Sequence, residues 1–266
     1  MRNHRHIFLL LPVFFCVVFP FASRAQESNV RSGRANFSRR FQERWSNRPL
    51  TVRQEIRSKQ VEGEFPNSKT VEKCAERFYK ILEYLPETLI VKSGLKYVTF
   101  LNGLKLNGQY AGGVASGNTI YLIVNFTEKT VFHEFFHVFD PKAKDEKWRN
   151  LNDKSFSYTG SQFYEMNHSK KEKRKIKKNI RKDRIQEGFV STYAMSFEHE
   201  DRAETFAYMI VEGKKFLKRT KNPVMKAKME YIMELFVQRK LLDQAFWDRH
   251  FGSKFKVKNR FYSNGK

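Results

Sequence analysis

Cysteine is nearly missing from this chain, with only Cys16 and Cys74 among 266 residues. Cys16 lies inside an apolar run near the start and does not follow a small residue, which argues against lipid attachment there. With that start removed as a leader, Cys74 stands alone, so no intramolecular disulfide can form and the fold must rest on packing. A membrane-spanning stretch is missing as well. The apolar run Ile7 to Ala22 has 16 residues and contains Pro12 and Pro20, short of the roughly 20 that a spanning helix needs. Acidic residues are scarce, 28 against 51 basic ones, for a net charge of +23. No internal repeat interrupts the chain, which excludes solenoid and propeller architectures.

The layout of the start is that of a secretory signal peptide. Arg2 and Arg5 precede the apolar run, and Ser23-Arg24-Ala25 puts small residues at the positions a signal peptidase reads. Cleavage is expected after Ala25, giving a secreted or periplasmic protein with no transmembrane segment in the mature chain. The mature chain keeps 48 basic residues against the same 28 acidic ones, a net +20. Such a charge favours anionic surfaces in general: lipid headgroups, cell-wall polymers, nucleic acid or acidic proteins.

Residues 26 to 66 are polar, basic and poor in aliphatics, as expected of an arm. From residue 67 the chain is expected to form one domain running to 266, interrupted by a basic insert at 170 to 184. Val71, Cys74, Ala75, Phe78, Ile81, Leu82 and Leu85 recur at helical spacing, and Pro86 ends the run. Cys74 falls on that apolar stripe and reads as a core thiol. Two β-rich stretches follow, at 95–101 and 119–125, separated by a glycine-studded segment suited to turns and a short exposed strand. Further helices are expected over 200–216, 224–239 and 241–249. Helix, strands, helix, then more helices is an α+β order.

Between the second strand and the insert lies TVFHEFFHVFD, residues 130–140. Projected on a helix, Val131, Phe132, Phe135, Phe136, Val138 and Phe139 cover one broad arc. Thr130, His133, Glu134, His137 and Asp140 share the remaining sector. A helix apolar over so wide an arc is expected to be buried, with Asn125 and Glu128 capping its start. Buried imidazoles and carboxylates need partners, and a divalent metal is an efficient one. Histidines four apart present two nitrogens to one ion, with the glutamate between them beside the reacting water.

A zinc hydrolase uses three protein ligands and keeps one position open. The segment 187–210 offers Glu198, His199, Glu200 and Glu204 as candidates for the third. Glu200 and Glu204 share a face with the small residues Ala203 and Ala207 and with Val211, while His199 points about 100° away.

HEFFHVFD followed after a long insert by YAMSFEHEDRAE resembles the catalytic domain of anthrax toxin lethal factor and related bacterial zinc metallopeptidases. The resemblance implies a zincin-like fold: a small mixed sheet with an edge strand beside the HExxH helix, and a helical C-terminal part. It implies Zn2+ held by His133, His137 and Glu200, with Glu134 as general base. It also implies that Tyr193 assists the transition state and that Glu204 supports a ligand histidine; Asp140, on the ligand side of the helix, is expected to lend similar support. A peptide or protein would be the substrate, bound along the strand at 119–125 by strand addition. The insert at 170–184 has no counterpart in the resemblance.

That insert, KKEKRKIKKNIRKDR, carries ten basic and two acidic residues. It supports an alternative: a secreted, non-catalytic zinc-containing or polyanion- and cell-surface-binding protein. The run has no aromatics for base stacking, so specific nucleic-acid recognition is not expected.

Overall fold

The computed structural model describes residues 50–140, 142, 144–160 and 188–252. The signal peptide expected over 1–25, most of the arm and the basic insert at 170–184 lie outside the described residues, as does any anion-binding surface built on that insert. Among the described residues no helix is long and apolar enough to cross a membrane.

The described chain is a mixed α+β structure. Its sheet contains β1 (Thr51–Val52), β2 (Val61–Glu64), β3 (Tyr97–Leu106), β4 (Gln109–Tyr110), β5 (Gly113–Ser116) and β6 (Thr119–Ile123). The main path runs β1-β3-β6-β5, with β2 and β4 pairing to the far half of β3. β1 and β6 run parallel to β3, with Tyr97 opposite both Thr51 and Thr119; β2 and β4 run antiparallel to it. Helices are α1 (Ser68–Leu82), α2 (Glu87–Ser93), α3 (Glu128–Phe139), α4 (Glu146–Arg149), α5 (Glu198–Glu212), α6 (Pro223–Gln238) and α7 (Gln244–Phe251).

Two tight turns shape the sheet next to the site. Asn107 and Gly108 both have positive φ, 50° and 78°, the conformation of the two-residue hairpin turn that Asn-Gly favours; this turn folds β4 back onto β3. A second reversal, at Gly117, folds β6 back along β5, with Ser116 opposite Thr119. The glycine-studded segment of the sequence is therefore the end of β3, two short strands and their turns. β6 lies between β3 and β5, so the expectation that residues 119–125 form the open edge is corrected: the outer strand on that side is β5. The alternation in Gly113–Ser116 is too short to have marked it.

The sheet also begins earlier than the arm boundary at 66 implied. Val61 is buried against Leu101, Leu104, Val114 and Tyr121, a small apolar cluster; this contact is what holds β2 on β3. Elsewhere, α5 ends at Glu212 rather than 216, because Gly213 has φ 51° and opens a tighter turn of helix over Gly213–Lys221. The start of α3 is capped by the Thr127 side chain accepting from the Thr130 N–H, not by Asn125.

The large core contains α1, α3, α5, α6 and α7 together with Phe100, Ile120 and Leu122 from the sheet. Cys74 is buried in it, as its stripe implied. Phe136, Phe206 and Phe236 join α3, α5 and α6, with centroids 5.1 Å apart at each contact to Phe206, and Phe139 stacks on Phe236 at 4.4 Å. Burying each such ring is worth about 1.5–3 kcal/mol. The phenylalanine arc of α3 thus clamps the helix from behind, leaving its histidine side facing α5 and the β5 edge.

Candidate metal centre

α3 and α5 run in opposite directions and meet in rungs one helical turn apart. His137 Nε2 lies 3.1 Å from Glu200 Oε2, and His133 Nδ1 lies 3.1 Å from Glu204 Oε1. One turn further, Lys129 Nζ donates to the Tyr208 hydroxyl at 3.0 Å. Each step moves four residues back on α3 and four forward on α5, the spacing that keeps side chains on one face of each helix.

At the first rung three atoms converge. His133 Nε2, His137 Nε2 and Glu200 Oε2 are separated by 3.0, 3.0 and 3.1 Å. Lone pairs this close repel unless a proton or a metal cation sits among them. The zinc bonds of about 2.0–2.1 Å and the tetrahedral geometry usual for such ligands require donor atoms about 3.3 Å apart, close to the observed triangle. Among the described residues this is the one His/Cys/Asp/Glu group whose ligand atoms could share an ion. The donor set, two imidazoles and a carboxylate, suits zinc.

The electrostatics follow from the same contacts. Burial disfavours the His133 cation, but hydrogen bonds to Glu200 and Glu204 outweigh it and push its pKa up to about 10. Burial also opposes the Glu200 carboxylate, yet its bonds to His133, His137 and His199 hold its pKa well below the usual range. Burial lowers the pKa of His137. Burial pushes Glu134 up to about 7, although the His133 charge and a hydrogen bond from the Ala115 backbone pull the other way.

Of the two carboxylates expected to support the ligands, Glu204 faces His133 and Asp140 faces two arginines. Glu204 reaches His133, and the Ser191 hydroxyl donates to its other oxygen at 2.6 Å while accepting from the Ala194 N–H at 3.1 Å. Sequence reasoning missed Ser191; a hydroxyl two residues before Tyr193 carried no signal of its own. Tyr193 opens a short turn of helix, Tyr193–Met195, and its ring centroid is 5.8 Å from that of His133. Asp140 does something else: it accepts from Arg202 at 3.0 Å and from Arg239 at 3.3 Å, tying the end of α3 to α5 and to the end of α6. A buried cation, Arg202, and an exposed one, Arg239, claim it. Glu198, one of the alternative third ligands, faces Arg149 with both contacts at 2.9–3.0 Å. His199, the other, stacks on Phe197 and stands 3.5 Å from the far oxygen of Glu200.

Glycine 113 is a further residue the sequence did not single out. A Cβ there would lie 2.6 Å from Glu134 Cγ and 2.7 Å from its Oε1, so the bare backbone of β5 is what admits the Glu134 side chain. The cleft lies along this strand in two halves. One, of about 550 Å³, is lined by Tyr110, Gly112, Gly113, Lys129, Thr130 and Tyr193 among others. The second, of about 370 Å³, lies toward Ala115, His137, His199 and Glu200. His133, Glu134 and Tyr193 line both halves.

A family model described as a putative zinc-binding metallo-peptidase matches residues 75–249, two thirds of the chain and the whole of the site. The chain belongs to that family. Membership makes it a metallopeptidase-family protein that binds zinc, and the triangle on α3 and α5 is the group of described residues that fits the ion. No curated protein matches the chain. Among solved structures it is similar to a putative zinc-binding metallo-peptidase from Bacteroides caccae ATCC 43185, at 15% identity over 87% of this chain and 95% of that one, with a TM-score of 0.49.

Proposed function

We propose that this protein is a secreted zinc metalloendopeptidase of the gluzincin type, similar in its chemistry to the lethal factor catalytic domain, with residues 1–25 as its signal peptide. His133, His137 and Glu200 hold the zinc, and Glu134 is the general base. What carries the reading is the convergence of three ligand atoms within 3.1 Å beside a buried carboxylate in an open cleft.

Zinc bound at this triangle supplies Lewis-acid polarisation of a peptide carbonyl and of a water. Glu134 takes the proton from that water as it attacks, then returns it to the leaving amine. A carboxyl group whose pKa is near 7 can do both at neutral pH. The Ala115 backbone bond and the bare face of Gly113 hold the carboxylate against β5. Tyr193, lining both halves of the cleft, donates its hydroxyl to the oxyanion. Substrate backbone pairs with the open side of β5, the outer strand, and runs antiparallel to it.

Metal content and digestion of casein test this together. The purified protein should carry close to one zinc per chain and cut casein. Glu134→Gln should keep the zinc and lose the cutting, whereas His137→Ala and Glu200→Ala should lose both. A folded protein that takes up no added zinc would overturn the proposal, and so would undiminished digestion by Glu134→Gln.

A further inference from the structure

The larger half of the cleft has a cation in its wall that the metal chemistry does not use. Lys129 lines it, one helical turn before His133, and its Nζ is held by the Tyr208 hydroxyl at 3.0 Å and lies 4.3 Å over that ring. Both partners are uncharged. Among the described residues no carboxylate forms a direct ion pair with Lys129, although Glu204 one turn away feels its charge and every other rung of the ladder has a carboxylate.

The acidic groups lining the same cavity are already engaged. Glu204 spends one oxygen on His133 and the other on Ser191, and Glu134 takes the Ala115 N–H. Tyr110, also in the lining, is 79% exposed, and Lys105 stands 5.1 Å over its ring as a second cation beside this residue. Leu106, Asn107, Gln109, Ala111 and Thr130, also in the lining, carry no charge. An ammonium with one of its three donors bound to a phenol retains capacity for a charged acceptor.

Strand polarity says which part of a substrate enters here. This cavity lies at the Gly113 end of β5, and the other half at the Ala115 end. A peptide antiparallel to β5 puts its C-terminal side at the start of that strand. We propose that the cavity receives a carboxylate from the segment following the scissile bond, with Lys129 as its counter-ion. The inference rests on the peptidase reading and adds a substrate class to it. The carboxylate has two possible sources, an aspartate or glutamate directly after the cut or the free C-terminus of a short peptide.

The test is a digest of a proteome-derived peptide library by the zinc-loaded protein, with cut sites read by mass spectrometry on free and amidated peptide pools. Quenched peptides built on the best site then carry Glu, Gln or Lys after the cut. For the side-chain source, kcat/KM for Glu should exceed that for Gln about tenfold, ~1.4 kcal/mol. The ratio should fall to about one in Lys129→Met and turn to favour Lys in Lys129→Glu. For the C-terminal source, cuts should cluster near free ends, vanish on amidation, and lose that bias in Lys129→Met. Each preference is a ratio within one protein, so a partly folded variant does not mimic it. Cutting without either preference, or a preference unchanged in Lys129→Met, would overturn the inference. Anisotropy titration of the same peptides against Glu134→Gln reads the preference without turnover. A Glu preference there that is lost on adding Lys129→Met supports the carboxylate site even if the peptidase reading fails, and its absence sinks the site even if casein is cut.

Discussion

Glu204 holds His133 from behind: Oε1 lies 3.1 Å from Nδ1, and Ser191 fixes the other oxygen at 2.6 Å. This bond sets which ring nitrogen of His133 is left for a metal. Glu204→Ala should weaken zinc binding about 10–100-fold, the usual cost of losing such a partner, as measured by competition with a chelator. Ser191→Ala should weaken it less, because the carboxylate would remain. Equal zinc affinity in wild type and Glu204→Ala would show that the bond orients nothing.

Gly113→Ala separates the base from the metal. Its added carbon would meet Glu134 Cγ at 2.6 Å and Oε1 at 2.7 Å, closer than such contacts tolerate, so the carboxylate must move. Displacements on the order of 1 Å can cost about 100-fold in rate. The expected result is a loss of that size in kcat/KM with zinc content unchanged. Full activity in Gly113→Ala would mean that Glu134 has room elsewhere.

A second buried charge pair lies behind the site. Lys228 Nζ donates to Asp201 at 2.7 Å and to the Gly188 carbonyl at 2.9 Å, and the same Asp201 oxygen accepts from Trp148 at 2.9 Å and Tyr158 at 2.8 Å. Removing one member of a buried pair typically costs about 3–5 kcal/mol. Lys228→Met should lower unfolding stability by that order in urea titrations. Adding Asp201→Asn should recover part of the loss, since the stranded charge is then gone; additive losses would show that the two do not interact.

His250 gives a pH dependence far from the metal. Its Nε2 donates to the Met209 carbonyl at 2.8 Å and its Nδ1 shares a hydrogen bond with the Tyr84 hydroxyl. Burial lowers its pKa below the usual 6.5. The unfolded chain therefore takes up a proton on this ring before the folded one does. The stability it contributes is complete above about pH 6.5 and is lost as pH falls from there toward the folded value. Thermal midpoints of wild type should fall between about pH 7 and 5. His250→Gln should show a shallower fall, and parallel slopes would exclude His250 as a source.

How much of this could be read from the sequence depended on how local the signal was. The proposed ligand histidines and the proposed base Glu134 followed from spacing on a helix whose other face is phenylalanine. Glu200 and Glu204 could be narrowed by the small residues beside them, because a close helix contact needs small side chains. Lys228 was readable in principle: it falls among Met225, Met229 and Ile232 on a buried stripe, where a charge must have a partner. Gly113 and Ser191 were not readable, because their parts are decided by a neighbour 21 residues away in one case and 13 in the other. Asp140 was misread for the opposite reason. It sits on the ligand side of its helix, and only the tertiary structure brings Arg202 and Arg239 to it.

The residues on either side of the stretch 161–187 are each fastened to the body around α5. Thr159 and Gly160 donate to Met195 and Ser196, and Gly188 accepts from Lys228. His133 and His137 come before that stretch and Glu200 after it. A single cut inside it would therefore divide the ligand set between two polypeptides, each still carrying its own anchors. Zinc would then act as a bridge between fragments, and its uptake would depend on protein concentration, as assembly of a dimer does.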